Sequence, residues 1–173
     1  MEYLPVNESP ESINSDPMKL RPATPADREG IVALIDSCLK EYGDAAFLEG
    51  TEADLVDIDA HYEPDSFMVL ADRDEVVGTV ALYYDKNDRS VVTLRRMYLH
   101  SSLRGTGIAV RMMDWALNKA VELGAKRMEL WTDTQFKRAQ SFYKNLGFIE
   151  AGEIRAIDNG AIPFEEFKFY RDL

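Results

Sequence analysis

The spacing of apolar positions divides the chain into helical and extended stretches. Ile31, Leu34, Ile35 and Cys38 recur at helical spacing, and Thr24-Pro25-Ala26-Asp27 before them reads as a helix start. Thr24 can cap, Pro25 fits the first position, and Asp27 complements the positive end of the helix dipole. Residues 51–54 offer a second, shorter helix start, and residues 19–22 a short edge strand. From residue 67 the pattern becomes β-rich. Residues 67–71 and 76–84 are separated by the polar turn Asp72-Arg73-Asp74-Glu75, and a further turn over 85–90 leads into a third strand at 91–99. The clearest helix spans 107–123, with Ala109, Met112, Met113, Ala116, Ala120 and Leu123 on one stripe and Arg111, Asp114, Asn118 and Glu122 facing away. Gly124 can take the left-handed conformation that ends it. A strand over 127–132, a helix over 136–146 stopped by Gly147, and strands over 148–157 and 163–170 complete the pattern.

These elements imply an α/β (α+β) fold. The passage from 91 to 132 is a strand–helix–strand unit, so its two strands should run parallel. The other strands follow one another antiparallel, giving a mixed, mostly antiparallel central sheet flanked by helices. The chain has 173 residues, which suits one domain over 19–173. Residues 1–18 hold Pro5, Pro10 and Pro17 among polar residues without periodicity, and are expected to form a mobile leader. Composition then narrows the function. A net charge of −11 disfavours nucleic acid or an anionic membrane as partner and is compatible with a cationic amine. Neither a membrane-length apolar run nor a basic-then-apolar leader is visible, so a cytoplasmic protein is expected. Cys38 stands alone on the apolar stripe and reads as a core residue, so no intrachain disulfide can form. His61 and His100 are far apart and lack companion cysteines at ligand spacing, so no metal site is expected.

The sharpest local feature is Arg104-Gly105-Thr106-Gly107-Ile108-Ala109, between a strand and the long helix. Its glycines permit a tight turn with inward-pointing amides, and the helix N-terminus adds unpaired donors and partial positive charge. Arg104 supplies a forked cation suited to phosphate, and the small Ala109 allows close approach. Two glycines can also serve only to make a tight turn. A P-loop is excluded because no Gly-Lys-Ser/Thr follows. A dinucleotide fingerprint needs a third glycine where Val110 stands, although Asp133 lies roughly where a ribose-binding acid would.

The loop resembles the acetyl-CoA loop of the GCN5-related N-acetyltransferase (GNAT) superfamily, Q/R-x-x-G-x-G/A, through Arg104, Gly107 and Ala109. The segment from Ala139 through Tyr143, Lys144 and Gly147 to Phe148 is similar to that family's downstream A-x-x-x-Y-x-K-x-G-F signature. The likeness spans about residues 19–170. It implies an acyl-CoA N-acyltransferase-like fold whose fourth and fifth strands splay apart around the pantetheine arm of acetyl-CoA. Met97, Tyr98 and Leu99 would line that arm, and the amides of Gly105, Thr106, Gly107, Ile108 and Ala109 would hold the pyrophosphate. The implied reaction is acetyl transfer to an amine by direct attack in a ternary complex. Tyr143 resembles the tyrosine that protonates the departing thiolate, and its ordinary pKa of about 10 keeps it an acid at neutral pH. Tyr143 also fits as an aromatic packed beside Phe136, Ala139 and Phe142.

The chain departs from the pattern in places. Many relatives carry a glutamate general base early in the fourth strand, where Thr93 stands here. Asp133 is the first replacement candidate, Glu129 the second, and Glu165 or Glu166 the third. Phe136 occupies a frequent asparagine position, and Asn145 replaces the signature lysine, with Lys144 adjacent. Trp131 and Thr132 lie next to the expected reactive end, although a lone tryptophan is more often core. Neighbours on a strand point to opposite faces, so at most one of Arg95 and Arg96 should line the slot. The missing glutamate leaves open a non-catalytic module that binds and senses acyl-CoA. The acceptor, a small-molecule amine or a protein amine, and the oligomeric state are left open by the sequence, a homodimer being the commonest assembly.

Overall fold

The computed structural model describes residues 18–173. The expected leader lies outside them except for its last residue: Met18 opens the first strand and pairs with Asp72. Seven strands form one sheet in the order β1-β2-β3-β4-β5-β7-β6. They are β1 (Met18–Pro22), β2 (Phe67–Asp72), β3 (Glu75–Asp85), β4 (Asp88–Leu99), β5 (Arg127–Asp133), β6 (Ile149–Ile157) and β7 (Phe164–Asp172). Only β4 and β5 pair in parallel, as the strand–helix–strand reading requires; the other neighbours are antiparallel. The strands at 76–84 and 91–99 are longer than expected. They extend until Asp85 pairs with Asp88, because Asp85 and Asp88 fold their carboxylates back onto the amides of Asn87 and Ser90 and tighten the turn.

The helices are α1 (Arg28–Lys40), α2 (Ile58–His61), α3 (Ile108–Glu122) and α4 (Lys137–Asn145). The start foreseen at 51–54 yields a single 3₁₀ turn, Ala53–Leu55, and the short α2 follows it. Thr24 precedes a 3₁₀ turn, Pro25–Asp27, that leads into α1. The Asp27 carboxylate accepts from the Thr24 amide at 2.8 Å and from Arg21 at 2.7 and 2.8 Å. These bonds hold its pKa down at about 2, the Arg21 hydrogen bond contributing most.

Each sheet face buries its own core. On one face Met112, Met113, Ala116 and Ala120 of α3 and Tyr143 of α4 pack on Leu82, Val92, Leu94, Met128, Leu130 and Phe169. On the other, Ile31, Leu34, Ile35 and Cys38 of α1 pack on Phe67, Val69 and Ala81, with Leu55 and Tyr62 beside them. Burial on this scale, at about 25 cal/mol per Å² of apolar surface, fixes both helix layers to the sheet.

Candidate functional site

The pairing of β4 with β5 covers only four rungs, ending at Leu94 with Leu130. Both strands continue, β4 to Leu99 and β5 to Asp133, so they diverge. A cavity of about 780 Å³ fills the opening. Met97, Tyr98 and Leu99 form one wall, and Tyr143, Phe142 and Ala139 of α4 lie across from them.

The divergence has a local cause. Opposite Thr79 and Ala81, β4 carries one residue too many: Thr79 pairs with Tyr98 and Ala81 with Arg95. Arg96 absorbs the extra residue with φ at +52°, and its carbonyl accepts a 2.7 Å bond from Thr79 Oγ1. A bulge of this kind bends a strand and breaks its alternation. Arg95 lies opposite Ala81 and therefore faces α1. Arg96 also turns to that side, donating to Asp54, Glu52 and the Thr51 carbonyl. Both arginines border the cavity, contrary to the expectation from strict alternation. The cluster is buried, with side-chain exposures of 9% for Arg96, 6% for Glu52 and 8% for Asp54. Burial pushes the Asp54 pKa up, but the Arg96 hydrogen bonds and charge and the Tyr62 hydroxyl outweigh it, and the net direction is down. Glu52, with weaker help from the Phe47 amide and Arg96, is raised by burial.

At the other end, Gly105 and Gly107 adopt φ of +75° and +85°, and a Cβ at either would meet open space. Gly107 is the N-cap of α3 and has no side chain to occupy the first-turn amides, which remain available to an outside acceptor. Gly105 and Ala109 border the cavity, whereas Ile108 turns into the core. Thr106 ties the turn down by donating to the Leu103 carbonyl. This glycine turn and uncapped helix end, opening onto a long slot, fit a diphosphate followed by an extended arm. Arg104 reaches the rim in a forked pair with Glu41, at 2.6 and 2.8 Å, so its cation is shared with a carboxylate. Cys38 sits between Arg104 and Leu99, its thiol pushed up by burial and directed at the Leu99 carbonyl at 3.7 Å.

The named acid and base candidates separate clearly. Tyr143 is 7% exposed and borders the cavity, and among the described residues its hydroxyl has no hydrogen-bond partner. Burial, with Tyr98 nearby, raises its pKa and keeps the phenol protonated. Asp133 also borders the cavity, buried at 7% exposure. Burial raises its pKa against the Gln135 amide, and the Asp44 charge adds to the rise. Glu166 borders the cavity but is paired with Arg155 at 2.6 Å. Glu129 pairs with Lys168 and Glu165 is exposed; neither they nor Thr93 border the cavity. Trp131 is half-buried rather than core, with the Arg155 guanidinium 4.2 Å from its ring centroid.

Sequence reasoning missed several contacts. Gln140 donates from Nε2 to the carbonyls of Asp133 and Thr134, both at 3.1 Å, so the downstream signature pins the corner that carries Asp133. Phe136 packs on Tyr42 with ring centroids 4.4 Å apart, linking the start of α4 to the end of α1. Glu52 and Asp44 arrive from the α1–α2 connection, whose irregular backbone left no periodic signal. No helix among the described residues is long and apolar enough to cross a membrane.

Comparison with known proteins agrees with this geometry. An aminoalkylphosphonate N-acetyltransferase of Salmonella typhimurium is 31% identical over 135 residues, covering 75% of this chain and 84% of that protein. An N-acetyltransferase of Escherichia coli, itself uncharacterized, is 30% identical over 135 residues, covering 75% and 80%. Among solved structures, an acetyltransferase from Streptococcus agalactiae superimposes with a TM-score of 0.75 at 19% identity, over 91% of this chain and 99% of that one. A Salmonella typhimurium structure holding its cofactor acetyl-CoA gives 0.67 at 17% identity, over 91% and 95%. The sequence profile described as the acetyltransferase (GNAT) family matches residues 31–148. With the split sheet, the glycine turn and the buried tyrosine already in place, the chain belongs to the acetyltransferase (GNAT) family.

Proposed function

We propose that the protein transfers the acetyl group of acetyl-CoA directly to an amine, with Asp133 as base and Tyr143 as acid. The observation that carries this reading is the pair of oppositely suited groups on one cavity. A carboxylate and a phenol both border it, and burial raises the pKa of each. For the carboxylate a raised pKa means a stronger base; the phenol holds its proton at neutral pH and has it available for the departing thiolate, although the rise makes it a weaker acid.

Acetyl-CoA supplies the acyl group as an activated thioester. The Gly105–Ala109 turn and the α3 N-terminus are suited to its diphosphate, as the matching acetyl-CoA-bound structure encourages. The β4 backbone from Met97 to Leu99 faces the slot on the side away from β3 and offers the pantetheine arm a hydrogen-bonding edge. Asp133 takes a proton from the amine, aided by the Asp44 charge, which favours a cation nearby. Tyr143 gives its proton to the departing sulfur. Holding both reactants in one cavity removes the entropic cost of bringing them together.

The test is Tyr143→Phe, assayed for acetyl transfer to a panel of small amines and, separately, for acetyl-CoA binding by calorimetry. A fall in kcat of about 10²- to 10⁴-fold with binding retained is expected of a lost general acid. Equal turnover by the phenylalanine variant removes Tyr143 from the chemistry. Tight binding with no acetylation of any amine by the wild type favours an acyl-CoA sensor instead.

A further inference from the structure

The charges around the cavity, taken in pairs, leave a remainder. Of the four arginines bordering it, Arg96 is spent on Asp54 and Glu52, and Arg104 on Glu41. Arg138 is exposed, and its charge acts on Glu41, which puts it at the Arg104 end. Arg95 differs. Among the described residues no carboxylate lies within ion-pair distance of it; its guanidinium rests over the Tyr83 ring, 5.4 Å from the centroid. Its charge acts on Asp54 and on the Tyr62 hydroxyl without an ion pair or hydrogen bond to either. On the acidic side, Glu52 faces Arg96 and Glu166 faces Arg155, while Asp133 and Asp44 have no cation partner.

The strand register puts these unspent charges on one surface. Leu94 and Leu130 form the last rung, so Arg95 and Trp131 are the first residues on either lip of the split. Arg95 shares a face with Ala81, toward α1. Trp131 and Asp133 point to the same side, because Met128 and Leu130 between them fill the α3 core. Two residues along a strand and one strand across put the Arg95 and Asp133 backbones on the order of 8 Å apart before the splay adds to it. The guanidinium itself leans toward β3, over Tyr83, so the two charges stand farther apart than their backbones. An unpaired guanidinium and an unpaired carboxylate facing one cavity complement a molecule with a cation at one end and an anion at the other.

We infer that the acceptor is an amine bearing an anionic tail, a carboxylate or a phosphoryl group, and that Arg95 reads the tail while Asp133 receives the amine. This rests on the acetyltransferase reading and sharpens it. Guanidinium is the side chain suited to both anions, since its fork matches two oxygens at once. Tyr83 holds the side chain from behind and leaves its donors free. Arg95 touches no reacting atom in this scheme; it selects the acceptor.

The experiment compares kcat/KM for glycine, β-alanine and O-phosphoethanolamine against ethanolamine, which lacks the anion, and 1,4-diaminobutane, which replaces it with a cation. The wild type should prefer at least one anionic amine by tenfold or more, and the ranking of β-alanine against O-phosphoethanolamine distinguishes carboxylate from phosphoryl. Arg95→Gln should raise KM for that acceptor ten- to hundredfold, the range of a charged hydrogen bond. KM for acetyl-CoA, and kcat at saturating acceptor, should stay within about twofold. Arg95→Lys should recover part of the loss, which a merely structural role would not produce. Equal or better use of the uncharged or dicationic amine overturns the inference, as does an unchanged KM in Arg95→Gln. A wild type that does not bind acetyl-CoA brings down the acetyltransferase reading itself, and this inference with it.

Discussion

Arg96→Met removes the charge at the centre of the buried cluster while leaving the backbone to adopt the same positive φ, so it isolates the side chain. Arg96, Glu52 and Asp54 are each under 10% exposed. Removing one partner leaves the others as uncompensated buried charge, which costs about 3–5 kcal/mol. For a domain of this length 1 kcal/mol moves Tm by about 2–4 °C, so the variant should melt roughly 6–20 °C below the wild type. Thermal unfolding followed by circular dichroism measures this. In the variant, Asp54 and Glu52 keep the burial that raises a carboxyl pKa and lose the guanidinium that opposes it. Their folded pKa values then exceed the unfolded ones. Their penalty is absent at low pH and grows as pH rises through the folded values, so the gap to the wild type should narrow on acidification from pH 8 to pH 5. Adding Asp54→Asn and Glu52→Gln to the variant should recover more than half of the loss. A Tm shift below about 3 °C, or a triple variant no better than the single one, would refute the claim that these three side chains form a mutually compensated buried charge cluster.

Gly107→Ala should cost about 1–2 kcal/mol, because φ at +85° is unfavourable for a residue with a Cβ, and should weaken acetyl-CoA binding measured by calorimetry. Gly107→Glu should abolish that binding, since a carboxylate would compete for the α3 amides. If Asp133 is the base proposed above, the pH profile of kcat/KM should show an acid limb above the ordinary aspartate range, because the carboxyl must lose its proton to act and its pKa is raised. Asp133→Asn should remove that limb together with most of the activity. Asp27→Asn should destabilise by about 1–2 kcal/mol at pH 7, a figure reduced because Arg21 is partly exposed. Asp27 is depressed from 3.8 to about 2, so its contribution is present above pH 4 and lost as pH falls toward 2. Urea denaturation of wild type and variant at pH 7 and pH 2.5 should therefore show the gap shrinking.

Where hydrophobic period and turn chemistry agreed, the fold was legible. The stripe on α3 and the β-rich run from residue 67 each imposed one solution, because a slipped register or rotated helix would expose Met112, Met113 or Val80. The parallel pairing of β4 and β5 followed from the crossover alone. The glycine turn was legible because positive φ at Gly105 and Gly107 is a local property. Two features were not. The α1–α2 connection, which delivers Asp44 and Glu52, has its shape set by long-range bonds such as that from the Thr51 amide to the Asn159 carbonyl at 3.1 Å. The bulge at Arg96 broke the alternation on which the arginine reading depended. No local signal marked it, because in a regular pleat Arg95 and Arg96 would simply point to opposite faces.

The bulge also connects fold to chemistry. A straight β4 would continue its ladder with β5 beyond Leu94, consuming the backbone edge from Arg95 to Leu99 and closing the slot. Holding Arg96 at positive φ is costly, and only an environment that over-determines the position can sustain it. Here Thr79 grips its carbonyl and Asp54, Glu52 and Thr51 grip its guanidinium. The partners of that guanidinium belong to the same α1–α2 connection that brings Asp44 to the cavity beside Asp133. In the proposed mechanism, one buried charge cluster thus keeps the cofactor slot open and fixes the acceptor wall beside it. It follows that substitutions in residues 44–55 should change acceptor preference and slot geometry together, whereas substitutions in the α3 cap should change acetyl-CoA affinity without changing acceptor preference.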